Sequence, residues 1–178
     1  QERRLTISPG DFDDVVHGLL LSEGHGFLLG LTEEVVARLK STDEAGFLSF
    51  HPTEALAWGD YNNDGWLDLF IANESPRGEP MHPCELYRSN GDGTFTEEAE
   101  AAGVAAVGFF KGTVWGDYDN DGRLDLYVSG LAVAPRNILF HNNGPGPDGR
   151  WTFSDVGDRA GVREPTVSFP SWLFDFDN

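Results

Sequence analysis

Trp115-Gly116-Asp117-Tyr118-Asp119-Asn120-Asp121-Gly122-Arg123-Leu124-Asp125-Leu126-Tyr127-Val128 decides the fold of this chain. Counted from Asp117, carboxylates stand at positions 1, 3, 5 and 9, with glycine at position 6. A hard cation such as Ca²⁺ takes six to eight oxygen ligands at short range, and glycine permits the sharp turn that gathers them. The same nine-residue loop occurs earlier as Asp60, Asn62, Asp64, Gly65 and Asp68 in the frame Asp60–Asp68. A third copy begins at Asp175-Phe176-Asp177-Asn178. The candidate side-chain ligands are therefore Asp60, Asn62, Asp64, Asp68, Asp117, Asp119, Asp121 and Asp125, with Asp175 and Asp177 from the incomplete copy. Position 7, Trp66 or Arg123, would add a backbone carbonyl.

The spacing is not that of an EF-hand, which needs a bidentate Glu at position 12 and flanking helices. Position 12 here is Ile71 or Val128, inside runs rich in branched and aromatic residues (Leu67–Ala72 and Leu124–Ser129). Those runs read as strands. Ala55–Trp58 and Gly112–Trp115 read as the strands entering each loop. The competing reading is an Asp/Asn/Gly turn that binds nothing. One loop would leave that open; two loops sharing Asp at positions 1, 5 and 9 favour the metal.

Asp60 to Asp117 is 57 positions and Asp117 to Asp175 is 58. Other segments recur with the loops. Glu85–Asn90 pairs with Asn137–Asn142, Thr94–Ala99 with Thr152–Gly157, and Ala102-Gly103-Val104 with Ala160-Gly161-Val162. Each unit reads as strand, metal loop, strand, longer loop, strand, glycine-rich turn, strand. Asn90-Gly91-Asp92-Gly93 is a hairpin turn, and Asn143–Gly149 is a longer version of it. Four antiparallel strands per repeat is the arithmetic of a propeller blade. Trp58 and Trp115, each two residues before the first ligand, read as packing between blades. In the third copy, Trp172-Leu173-Phe174-Asp175, the Trp is displaced by one position. It would face the other side of its strand unless a bulge restored it.

Together these residues resemble FG-GAP/VCBS-type repeats, the calcium-binding blades of integrin-α-like β-propellers. Their order is similar in particular to bacterial proteins like cartilage acidic protein 1, which often carry an ASPIC/UnbV domain. The resemblance covers about residues 51–178. It implies calcium at Asp60, Asn62, Asp64 and Asp68, and at Asp117, Asp119, Asp121 and Asp125. No ASPIC/UnbV segment is present in this sequence.

The expected fold is all-β, a partial β-propeller of four-stranded antiparallel blades with calcium loops between strands. Residues 1–50 form a lead-in, read as a degenerate blade with a short helix at Thr32–Lys40. The first blade is expected over 51–111, the second over 112–170, and a truncated third from 171 to 178. The chain begins at Gln1 and stops inside a metal loop, so it is expected to be a piece of a longer propeller.

A formal net charge of −18 argues against a nucleic-acid partner and against anionic membrane surfaces. No run of 18 apolar residues suggests a membrane span. The lone cysteine, Cys84, gives no intrachain disulfide. The five histidines, at 17, 25, 51, 82 and 141, fall into no metal spacing. The expected function is a non-enzymatic, calcium-stabilised interaction platform, extracellular or periplasmic, with a protein or surface glycan as partner. The alternatives are a scaffold within a secreted carbohydrate-active enzyme and a purely structural calcium-binding segment.

Overall fold

In the computed structural model the described residues are 45–46, 51, 53–75, 81–131, 137–165, 167–169 and 171–173. They form two four-stranded antiparallel sheets, as the sequence led us to expect of an all-β chain. The first sheet is β1 (Thr53–Gly59), β2 (Asp68–Asn73), β3 (Glu85–Ser89) and β4 (Phe95–Glu97), hydrogen-bonded in chain order. A one-turn helix, α1 (Ala99–Ala102), follows. The second sheet is β5 (Phe110–Gly116), β6 (Asp125–Gly130), β7 (Ile138–Pro145) and β8 (Trp151–Asp155), followed by α2 (Gly157–Ala160). The expected helix at 32–40 and the third loop at 175–178 lie outside the described residues.

Strand alternation explains the core. On β2, Phe70 and Ala72 face the second sheet, while Leu69 and Ile71 turn to the opposite side. On β6, the equivalents Leu126 and Val128 face the first sheet. The main cluster therefore lies between the sheets: Tyr61, Phe70, Leu86, Phe110, Leu126 and Phe153 meet there. Trp115 closes it, stacked on Tyr61 at 6.1 Å with 12° between the rings, its Nε1–H donating to the Ala57 carbonyl at 3.1 Å. The second cluster lies on the far side of the first sheet, where Leu69, Ile71 and Tyr87 pack with Ala45.

Two small contacts set how one unit follows the next. Trp115 lies flat on Gly59, where an added Cβ would come within 2.7 Å of its ring. Leu173 lies on Gly116 in the same way, again at 2.7 Å. Gly59 and Gly116 each precede the first loop Asp, so Leu173 takes the position of Trp115. Trp172 is not a displaced seam residue; it is 73 % exposed. No bulge is needed to reconcile the third copy.

The structure also corrects one alignment. Ser89 N–H donates to Asp68, and Asn142 N–H donates to Asp125. Leu69 pairs with Tyr87, and Leu126 with Phe140. Thus Ser89 corresponds to Asn142 and Arg88 to His141, one residue away from the pairing of 85–90 with 137–142. The near-constant period concealed the offset. Asp68 to Ser89 is 21 positions but Asp125 to Asn142 only 17, and the β7–β8 turn is correspondingly longer.

The one-turn helices were not anticipated. Each ends in a glycine in the left-handed region, Gly103 (φ 81°) and Gly161 (φ 71°). Gly46 shares that conformation (φ 82°) and follows Ala45 as Gly103 follows Ala102. A Cβ on Gly46 would meet the Phe95 carbonyl, and one on Gly103 would meet that of Phe153. Ala45, Ala102 and Ala160 are spaced by 57 and 58, the period of the loops.

Candidate metal centre

Each loop joins the first two strands of its sheet, and both copies hold the same backbone shape. Position 4 is left-handed at Asn63 (φ 54°) and Asn120 (φ 58°), a conformation Asn tolerates better than most residues. Position 6 is left-handed at Gly65 (φ 89°) and Gly122 (φ 85°). These two turns fold the loop back onto its own acidic side chains.

The position-1 carboxylate ties the turn. Asp60 accepts the N–H groups of Asp64 (3.0 Å) and Gly65 (2.9 Å). Asp117 accepts those of Asp121 (3.0 Å) and Gly122 (2.8 Å). The position-5 carboxylates, Asp64 and Asp121, accept the N–H of Trp66 (2.9 Å) and Arg123 (3.0 Å). The position-9 carboxylates open β2 and β6 and are fully buried. Asp68 accepts from Tyr61 N–H (3.2 Å) and Ser89 N–H (2.8 Å). Asp125 accepts from Tyr118 N–H (3.1 Å) and Asn142 N–H (2.8 Å).

Position 3 separates the loops. Asn62 folds onto Asp64, accepting its N–H at 3.1 Å and donating Nδ2–H to its carboxylate at 2.8 Å. Asp119 instead faces His141, Nδ1 to Oδ2, at 3.4 Å. Position 7 differs as well. The Trp66 ring lies over the Gly91 turn, whereas Arg123 lies over Gly144, donates Nε–H to the Asn142 carbonyl at 2.9 Å and forms an ion pair with Asp121.

Burial away from water pushes the Asp68 carboxyl up to about 7; the two N–H donors pull it down, and the charges of Asp64 and Asp60 push it further up. Asp125 is raised for the same leading reason. Among the described residues, no basic side chain forms an ion pair with Asp68. A buried carboxylate beside two others, with no ion-pair partner among the described residues, fits a divalent ion that prefers oxygen donors.

Among the described residues, two trios of candidate ligand atoms lie within 4.8 Å of one another: Asp117, Asp119 and Asp121, and Asp119, Asp125 and His141. The first lies within the second loop, and the second joins two of that loop's carboxylates to His141 on β7. The first loop brings no such trio of carboxylates together, because Asn62 replaces one of them. Asp175 and Asp177 lie outside the described residues.

Sequence reasoning missed the residues that brace the loops from elsewhere. Asn142 and Ser89 hold the buried carboxylates from β7 and β3, and their alignment was off by one. Spacing along the chain gave His141 no metal role, because its partners lie across the sheet. His51 and His82 also meet, Nδ1 to Nδ1 at 2.7 Å, away from both loops.

No curated protein matches the chain. Residues 60–128 match a family model described as FG-GAP-like repeat. That match starts at the first loop Asp, takes in both loops and ends inside β6, so the segment carrying the candidate centres is similar to an FG-GAP-like repeat.

Proposed function

We propose that this chain is a calcium-binding β-propeller segment serving as a non-enzymatic interaction platform, extracellular or periplasmic, for a protein or surface glycan. The observation that carries the calcium reading is the buried position-9 carboxylate in both loops, Asp68 and Asp125. Each is fixed by two N–H groups at the mouth of an acidic turn, and neither has a Lys or Arg ion pair among the described residues. Asp60, Asn62, Asp64 and Asp68, with the Trp66 carbonyl, would hold one ion. Asp117, Asp119, Asp121 and Asp125, with the Arg123 carbonyl, would hold the other. Bound calcium would supply charge compensation and cross-linking of the loop. Mg²⁺, which demands a small octahedral shell and keeps its waters, would compete poorly.

The repeated Gly59–Trp115 and Gly116–Leu173 contacts support face-to-face blades. The platform reading draws on the large apolar side chains held in solvent: Trp66 at 48 %, Leu67 at 52 % and Met81 at 75 % exposure. No helix among the described residues is long and apolar enough to cross a membrane.

Calorimetry with Ca²⁺ tests the metal reading. Two sites and a rise in melting temperature are expected, since an ion binding only the folded state adds about 2.7 kcal/mol at 100 times Kd. Absence of heat and of any thermal shift would remove the basis of this function. A glycan and matrix-protein array probed with and without EGTA tests the platform; retention that ignores calcium and survives Trp66→Ala counts against it.

A further inference from the structure

The two loops differ in one donor that is not oxygen. His141 on β7 points its Nδ1 at the second loop, 3.2 Å from Asp125 Oδ1 and 3.4 Å from Asp119 Oδ2. That nitrogen is buried and lines up no hydrogen bond, although two carboxylates stand beside it. Charge-assisted N–H···O contacts close to about 2.7–2.9 Å, so these separations are long for a protonated imidazole clasped by two carboxylates. They suit ligands sharing one ion. With bonds of about 2.1 Å to nitrogen and oxygen, neighbouring donors sit roughly 3.0 Å apart in an octahedron and 3.4 Å apart in a tetrahedron. The ring is held in place by Tyr118, packed edge-on at 6.0 Å and 84°. In the first sheet the equivalent position is Arg88, which turns to Glu98 at 2.9 Å. The first loop thus has a guanidinium where the second has an imidazole.

We infer that the second loop is a mixed nitrogen–oxygen centre that accepts a divalent d-block ion, such as Mn²⁺ or Zn²⁺, through His141 Nδ1, Asp119 and Asp125, while the first loop remains an all-oxygen site. Imidazole favours such ions over calcium, and carboxylates accept both. The inference rests on the reading of the second loop as a metal site. It adds that the two centres choose different metals when both classes are offered.

The test uses the full 178-residue chain. Pulsed EPR of bound Mn²⁺ should show a directly coordinated nitrogen. The Mn²⁺-to-Ca²⁺ affinity ratio should fall on the order of tenfold or more in His141→Gln, with calcium heat at the first loop reporting that the variant is folded. Because the other four histidines could also supply nitrogen, the signal is repeated in a variant with His17, His25, His51 and His82 all changed to Gln, where it should persist. That comparison decides the matter even if His141→Gln does not fold. Mn²⁺ bound without nitrogen coupling, coupling lost in the four-histidine variant, or an unchanged affinity ratio in a folded His141→Gln would each overturn the inference and leave the calcium reading standing. Absence of both Ca²⁺ and Mn²⁺ binding would overturn both.

Discussion

Asn142 reaches from the second sheet into the first loop, its Nδ2–H donating to the Tyr61 carbonyl at 2.9 Å. The same residue's N–H holds Asp125, and its side chain also serves Leu124 O at 3.1 Å and Gly144 N–H at 3.0 Å. Asn63 adds a second strut, donating to the Gly122 carbonyl at 3.1 Å. The two loops are therefore braced against each other.

Asn142→Ala should cost about 2–4 kcal/mol, because it removes the partner of the buried Tyr61 carbonyl, the half-buried Leu124 carbonyl and the buried Gly144 N–H. It should also uncouple the loops. In the native chain, Asp121→Ala in the second loop should weaken calcium at the first; in Asn142→Ala that effect should shrink. A double-mutant cycle by calorimetry measures it, and strictly additive effects would show the brace carries no coupling.

Gly59→Ala should lower stability by about 1–3 kcal/mol, since the new methyl displaces the Trp115 ring from the seam. Trp115→Ala should cost about 3–5 kcal/mol through the cavity it opens. Chemical denaturation reads both. A neutral Gly59→Ala would mean the ring can tilt away freely.

Metal-stripped protein should lose stability as pH rises from about 4 to 7. The sign follows from Asp68. Its carboxyl is raised from 3.8 to about 7 on folding, so the folded state holds a proton that the unfolded state releases. The contribution is complete below the unfolded value and is lost as pH passes the folded one. Asp125 acts in the same direction. Calcium should remove the loss, because the ion favours the ionised form. Melting curves across this range for the native chain and Asp68→Asn provide the check; identical slopes would show that Asp68 does not titrate this way.

Arg123→Gln should tighten calcium at the second loop by roughly two- to fivefold. The guanidinium pairs with Asp121, a proposed ligand, and opposes an incoming cation; exposed pairs of this kind are worth only about 0–1 kcal/mol. The fourth carboxylate of the second loop is in this way offset by Arg123. Charge count alone does not rank the loops, and weaker binding in Arg123→Gln would show that the side chain supports the site.

The four-strand units were legible because two local signals agreed. Asp-x-Asp-x-Asp-Gly fixed the turn, and the branched runs after it alternated with period two. The role of Trp115 was legible from its repeat position. Glu85–Asn90 was misaligned by one because, in the second unit, a shorter β6–β7 connection and a longer β7–β8 turn nearly cancel in the period. The one-turn helices escaped notice because Ala99–Ala102 is too short to show a helical period, although Ala45-Gly46 carried the same signature. His141 could not be assigned from spacing along the chain. Its neighbours are set by strand register, which only the folded sheet reveals.

The Gly59–Trp115 contact is a socket and key, and its repetition makes the units exchangeable parts. Insertions between β2 and β3 or between β7 and β8 leave it untouched, so length can drift there while the join stays the same. The key has changed from Trp115 to Leu173, which carries no N–H to reach across the seam. An array built by repeating the second unit would carry Trp115 at every join, whereas one built on the third copy would inherit the weaker Leu173 join, and Leu173→Trp is the single edit that would make the two alike.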